Sequence, residues 1–215
     1  MVRYVLLFAI ALAACEKSPS PFQRDGNVWR YREAVIHGAD ASTFAPLSDH
    51  YAKDRHRVYY ADTYREGKEY FSIAHPRVAV ISGADAATFR YIDRAYARDA
   101  THVYYEGVRH GVKDAVSFAL LDYGFARDSA TAYCFMTPIA GSEPSSFVVL
   151  DLHYAKDRSR VYWCGVETDN GARPLYVKAV AIDADAATFS LTETTGGDAD
   201  AKDARGAFAR GRRVR

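Results

Sequence analysis

Common catalytic signatures are missing from this sequence. It contains no Gly-x-Ser-x-Gly elbow, no His-Glu-x-x-His helix, no Gly-x-x-x-x-Gly-Lys loop and no Cys-x-x-Cys pair. Each of those motifs encodes a geometry that its chemistry requires, so their absence argues against the enzyme classes they mark. The seven histidines, His37, His50, His56, His75, His102, His110 and His153, include no i, i+4 pair, the spacing that would place two metal ligands on one helix face. Asp183-Ala184-Asp185 and Asp198-Ala199-Asp200 alternate like the start of a calcium loop, but no central glycine and closing glutamate follow in register. No catalytic residue, metal or cofactor is therefore expected. Proline and glycine are also scarce, seven and fourteen among 215 residues, and with 13% aromatic and 26% charged residues this excludes a collagen-like or disordered chain.

Long apolar runs are confined to the N-terminus. Residues 1–14 carry one charge, Arg3, then an apolar run from Tyr4 to Leu12 and two alanines before Cys15. This is a signal-peptide pattern, too short for the roughly 20 residues of a membrane-spanning helix. Leu12-Ala13-Ala14-Cys15 resembles the lipobox of bacterial lipoproteins. The resemblance implies that residues 1–14 are removed and that Cys15 carries diacylglycerol and a further acyl chain such as palmitate. Several chains together anchor a protein firmly where one does not. Glu16 stands where an aspartate would hold the product at the inner membrane, so the expected location is the periplasmic face of an outer membrane. An ordinary secretory leader cut before an unmodified cysteine is the competing reading, and it also exports the protein.

Charge is balanced overall, 28 Lys plus Arg against 27 Asp plus Glu, but residues 204–215 hold Arg205, Arg210, Arg212, Arg213 and Arg215 and no acid. A basic tail can attract phosphate groups. Export argues against nucleic acid as a partner, and a solvated, frayed terminus is the expected state of this tail.

What the sequence has in abundance is repetition and tyrosine, sixteen of the latter. One pattern recurs around Phe44, Phe89, Phe118 and Phe147, with a decayed copy at Phe189. Four residues before each stand Asp40, Asp85, Asp114, Glu143 and Asp185, and one before stand Thr43, Thr88, Ser117, Ser146 and Thr188. Seven after come Tyr51, Tyr96, Phe125 and Tyr154; ten after, Asp54, Asp99, Asp128 and Asp157; fifteen after, Tyr59, Tyr104, Tyr133 and Tyr162. The unit is 29 residues, lengthened in the first and last intervals by insertions that include 78–81 and 176–180, which read as extra strands. Incomplete copies at both ends suit the caps of a stacked array.

Residues 51–60, Tyr-Ala-Lys-Asp-Arg-His-Arg-Val-Tyr-Tyr, and 154–163, Tyr-Ala-Lys-Asp-Arg-Ser-Arg-Val-Tyr-Trp, together with the blocks 38–44 and 83–89, resemble the signature of the DKNYY family. The likeness covers residues 22 to about 190. Arg55, Ala100, Ser129 and Arg158 stand where the family name has lysine. Resemblance to this family implies an exported bacterial protein and supplies no catalytic residue.

The expected fold is mainly β, a tandem array of four to five short hairpin units with single helical turns. Domain boundaries follow as 1–14 signal peptide, 15–21 acylated cysteine and linker, 22–195 repeat domain, and 196–215 degenerate repeat and basic tail. Strands of about five residues are expected. Asp54, Asp99, Asp128 and Asp157 are assigned as structural turn residues, each accepting backbone N–H bonds, with a cost of about 1–2 kcal/mol for alanine and much less for asparagine. In the strand that follows each of these turns, Val58 and Tyr60 look one way and Tyr59 the other, so that one tyrosine column faces the core and the other is partly exposed or covered by the phenylalanine and leucine of the turn block. Tyr59, Tyr104, Tyr133 and Tyr162 are the candidate binding face, against the competing reading that they fill the core. Cys134 and Cys164, an even pair in an oxidising compartment, are expected to form a disulfide. Register opposes this, because a separation of 30 in a 29-residue repeat points the two to opposite faces, so that a bulge or slip is required.

These features predict a non-catalytic recognition or scaffold module, held to the membrane through the lipid on Cys15 and contacting an envelope protein or glycan. An immunity-type inhibitor of a secreted toxin is the alternative and an envelope hydrolase the remote one.

Overall fold

A computed structural model describes residues 20–169, 172–192 and 199–214. The chain is mainly β and forms six small antiparallel sheets in chain order. The first has three strands, Phe22–Asp25, Val28–Tyr31 and Ala34–Val35; the other five have four strands each, always in sequential meander order. The third is representative: Arg90–Asp93, Tyr96–Arg98, Val103–Tyr105 and Val108–His110. Most strands are two to four residues long, shorter than the five expected. The insertions do not add strands. They lengthen the last two strands of an ordinary unit into the hairpins Val58–Tyr64 with His75–Val80 and Val161–Asp169 with Ala172–Ile182.

Each sheet packs face to face on the next. Tyr59 and Ala61 of the second sheet meet Phe22 and Tyr31 of the first, while Tyr51 and Val58 on its other face meet Phe89, Ala97 and Tyr104 of the third. The same relation joins sheets three to four, four to five and five to six. Every hydrophobic cluster is shared by consecutive sheets only, the nearest-neighbour arrangement of a repeat protein. A sheet inside a stack is covered on both sides: Tyr59 and Tyr104 are buried, while Tyr60 and Tyr105 on the other face are half-buried, Tyr60 in the cluster that holds Leu47 and Phe89, as the expectation of a partly exposed or covered face allowed.

The block before each sheet is one hydrogen-bonded turn. Phe44, Phe89 and Phe189 each donate their N–H to the carbonyl of the aspartate four residues earlier, and the phenylalanine rings enter the cores. Two-residue hairpin loops such as Glu106-Gly107 and Arg210-Gly211 have positive φ at both positions, the twist that suits a tight hairpin.

The sixth sheet, Ser190–Leu191, Ala201–Asp203, Gly206–Ala209 and Arg212–Arg213, corrects the reading of the C-terminus. The boundary at 195 falls inside a unit, and the arginines through Arg213 belong to an ordered sheet instead of a frayed tail.

Candidate functional site

The aspartates ten residues after each phenylalanine are buried hubs. Asp99, 1% exposed, accepts the N–H groups of Thr101 and His102 on Oδ1, at 2.8 and 2.7 Å, closing its own hairpin. Its Oδ2 accepts the Asp85 N–H at 3.2 Å and the Tyr104 hydroxyl at 2.7 Å. Asp54, Asp128 and Asp157 repeat this pattern with Tyr59, Tyr133 and Tyr162. One oxygen thus serves the turn and the other clasps the preceding block. Burial alone would raise the Asp99 and Asp157 carboxyls, but the tyrosine and backbone donors outweigh it and hold both at about 2. Burial, then the Asp54 hydrogen bond, pushes the Tyr59 hydroxyl up to about 12.

The candidate binding face is corrected by the same geometry. Tyr59, Tyr104, Tyr133 and Tyr162 are at most 1% exposed; their rings fill inter-sheet cores and their hydroxyls are spent on the aspartates, so they present nothing to a ligand.

The Thr/Ser column completes the clasp. Thr43, Thr88, Ser117 and Ser146 accept the backbone N–H of Arg55, Ala100, Ser129 and Arg158. The side chains of Arg55, Ser129 and Arg158 also reach back to Asp40, Asp114 and Glu143 of the preceding block, so only Ala100 relies on the main-chain contact alone.

Sequence reasoning placed 202–208 in an incomplete terminal copy but did not assign Asp203 as a turn residue; it is a fifth hub. Asp203 lies fourteen residues after Phe189 instead of ten, and the tyrosine five residues further on is replaced by Phe208. Asp203 accepts the N–H of Arg205 and of Asp185. Arg213 supplies the donors that the missing tyrosine would have given, at 3.1 Å to each carboxylate oxygen.

Cys134 and Cys164 are joined as a disulfide, with Cα atoms 6.4 Å apart. The register objection is resolved without a bulge, since their strands pair regularly. In a stack, the faces that meet are opposite faces of consecutive sheets. Cys134 on the forward face of the fourth sheet therefore looks at Cys164 on the rear face of the fifth, both inside one cluster. Cys15 lies outside the described residues.

A cleft between the fifth and sixth sheets is lined by His153, Trp163, Val166, Glu167, Arg210 and Arg212 among others. His153 stacks on Trp163 with ring centroids 6.3 Å apart and planes 15° apart. Its Nδ1–H donates to the Cys164 carbonyl at 3.0 Å, which leaves Nε2 without a partner among the described residues. Trp163 is 7% exposed, and its indole N–H is the sole buried side-chain polar group among the described residues with no partner. Gly211, at φ 73°, lies against the indole where a Cβ would collide. Its N–H donates to the Tyr154 hydroxyl at 2.8 Å, and that hydroxyl donates to Asp200. Glu167 is paired with Lys178 at 3.1 Å. The guanidinium groups of Arg210 and Arg212 have no partner among the described residues.

The equivalent junction between sheets two and three keeps the architecture and changes the charge. His50 stacks on Tyr60, Gly107 lies on the Tyr60 ring, and Gly107 N–H donates to Tyr51. Glu106 and Val108 occupy the places of Arg210 and Arg212. The basic pair is thus particular to the fifth–sixth junction, and no fold requirement calls for it.

Among the described residues no cluster of His, Cys, Asp and Glu has the geometry of a metal site, and no helix is long and apolar enough to cross a membrane. Comparison with protein-family models, with curated proteins and with solved structures found no match.

Proposed function

We propose that this chain is an exported, lipid-anchored envelope protein of the DKNYY type that acts as a non-catalytic recognition module. The cleft beside Trp163 takes an acidic side chain of a partner protein in the envelope. One observation carries the reading: the recurring acids and tyrosines are engaged inside the fold, whereas two arginines without a partner among the described residues stand together beside Trp163 at a single junction. Guanidinium groups bind carboxylates through paired hydrogen bonds. Apolar Val166, exposed beside the arginines, suits a flanking hydrophobic residue of the partner.

The test is capture from solubilised envelope with the acylated full-length protein and with an Arg210→Ala/Arg212→Ala variant. Both arginines are exposed, so the fold is undisturbed. The expected result is a protein retained by the wild type at low salt and lost with the variant. Retention unchanged by the double substitution, or recovery of glycan alone, overturns the assignment of the cleft. Identification of the captured protein as a secreted toxin would make the module an inhibitor.

A further inference from the structure

The long hairpin of the second sheet ends in an exposed aromatic tip that the recognition cleft does not use. Residues 65–74 join its two strands, and they present Tyr70, Phe71 and Ile73 at 55, 93 and 44% exposure, beside Tyr64 at the end of the first strand. The loop is shaped to do so. A short 3-10 turn over Gly67–Glu69 and a hydrogen bond from the Arg65 guanidinium to the Tyr70 carbonyl, at 3.2 Å, hold it. The Tyr70 and Phe71 rings meet edge to face at 5.2 Å. Arg65 and Lys68 are balanced in sequence by Glu66 and Glu69, so residues 65–74 carry no net charge, and Arg77 is bound to Asp62 below them. An exposed apolar patch of this kind marks an interaction surface, and amphipathic aromatic side chains such as tyrosine are enriched at membrane–water interfaces.

Chain length decides what the surface touches. Cys15 is seven residues before Phe22, so an acyl group on Cys15 lies within about 25 Å of Phe22 whatever path the chain takes. Phe22 and Val78, on the second strand of the hairpin, belong to one cluster. From the Ala61–Val78 pair to the Tyr64–His75 pair the hairpin projects about 10 Å further, and the ten-residue loop extends beyond that. The tether is therefore long enough for the tip and Cys15 to meet one surface.

We infer that Tyr70, Phe71 and Ile73 insert into the lipid headgroup region beside the acylated Cys15, as a second attachment that fixes the orientation of the stack on the membrane. This rests on acylation of Cys15 and is independent of the cleft. The test uses the full acylated protein reconstituted in phosphatidylethanolamine–phosphatidylglycerol vesicles with brominated acyl chains, and reads the extra tryptophan emission of Phe71→Trp relative to wild type. The expected result is blue-shifted emission that the bromolipid cuts roughly in half. Val148→Trp, exposed on the fifth sheet, should stay unquenched. Protein that floats with the vesicles while the residue-71 emission remains water-like overturns the inference and leaves the anchor intact. Equal quenching at 148 also overturns it, by showing contact that is not specific to the tip. Failure to float removes both the anchor and this inference.

Discussion

Replacing Asp99 tests whether the repeat is held by local turns or by clasps between blocks. In Asp99→Ala the turn N–H groups of Thr101 and His102, the N–H of Asp85 and the hydroxyl of Tyr104 all lose their acceptor. Holding the carboxyl at about 2 against its ordinary 3.8 favours the ionised folded state by about 2 kcal/mol. Leaving the Tyr104 hydroxyl buried and unmatched adds about 1–3 kcal/mol, so the expected loss is about 3–5 kcal/mol, above the 1–2 kcal/mol that a local cap implies. Asparagine discriminates more sharply. Its carbonyl can serve the turn, but its NH2 then faces the Asp85 N–H, a donor against a donor. Asp99→Asn should therefore cost about 1–3 kcal/mol, where a residue serving only its own turn would tolerate it. Urea unfolding of wild type and both variants, followed by far-UV circular dichroism, measures this. An Asp99→Asn protein within about 0.5 kcal/mol of wild type, the usual scatter of surface substitutions, would refute the clasp. Calcium should leave all three curves in place.

Reduction of Cys134–Cys164 opens a loop closed across 30 residues and should cost about 3–4 kcal/mol by the chain-entropy estimate, read as a shift in urea midpoint with and without reductant. Acid should unfold the protein in a defined window. The hub carboxyls are lowered in the fold, so their stabilisation is complete above about pH 4 and lost as pH falls through about 2; a stability profile that stays flat between those values contradicts it. Ala100→Lys should change stability by less than about 0.5 kcal/mol because only the backbone of residue 100 is used, and a larger loss in thermal melts would place a role on the side chain. Metabolic labelling with a fatty-acid analogue should mark the wild type and spare Cys15→Ser; equal labelling of the two disproves acylation at Cys15.

The repeat is legible in the sequence because each unit solves the same local problem with the same residues. Asp-x-x-Thr-Phe makes one turn and its aspartate ten residues on makes the next, and short-range hydrogen bonds of this kind leave fixed spacings in a sequence. The mainly β, stacked architecture followed from those spacings. What the period could not convey is which sheet faces lie against each other. Alternation along Val58-Tyr59-Tyr60 separates two faces, but only stacking shows that both are covered, and it turned the proposed tyrosine surface into core. The same fact turned the register objection to Cys134–Cys164 into its explanation, since opposite faces are the ones that meet. Asp203 was legible only as part of an incomplete terminal copy, and not as a hub, because four extra residues moved it out of its column, and Arg213 could take over from the lost tyrosine only because the last hairpin brings it back across space. The cleft at Trp163 is likewise tertiary. His153, Trp163, Arg210 and Arg212 are up to 59 residues apart, and no sequence spacing records that the sixth sheet lays its loop on the fifth.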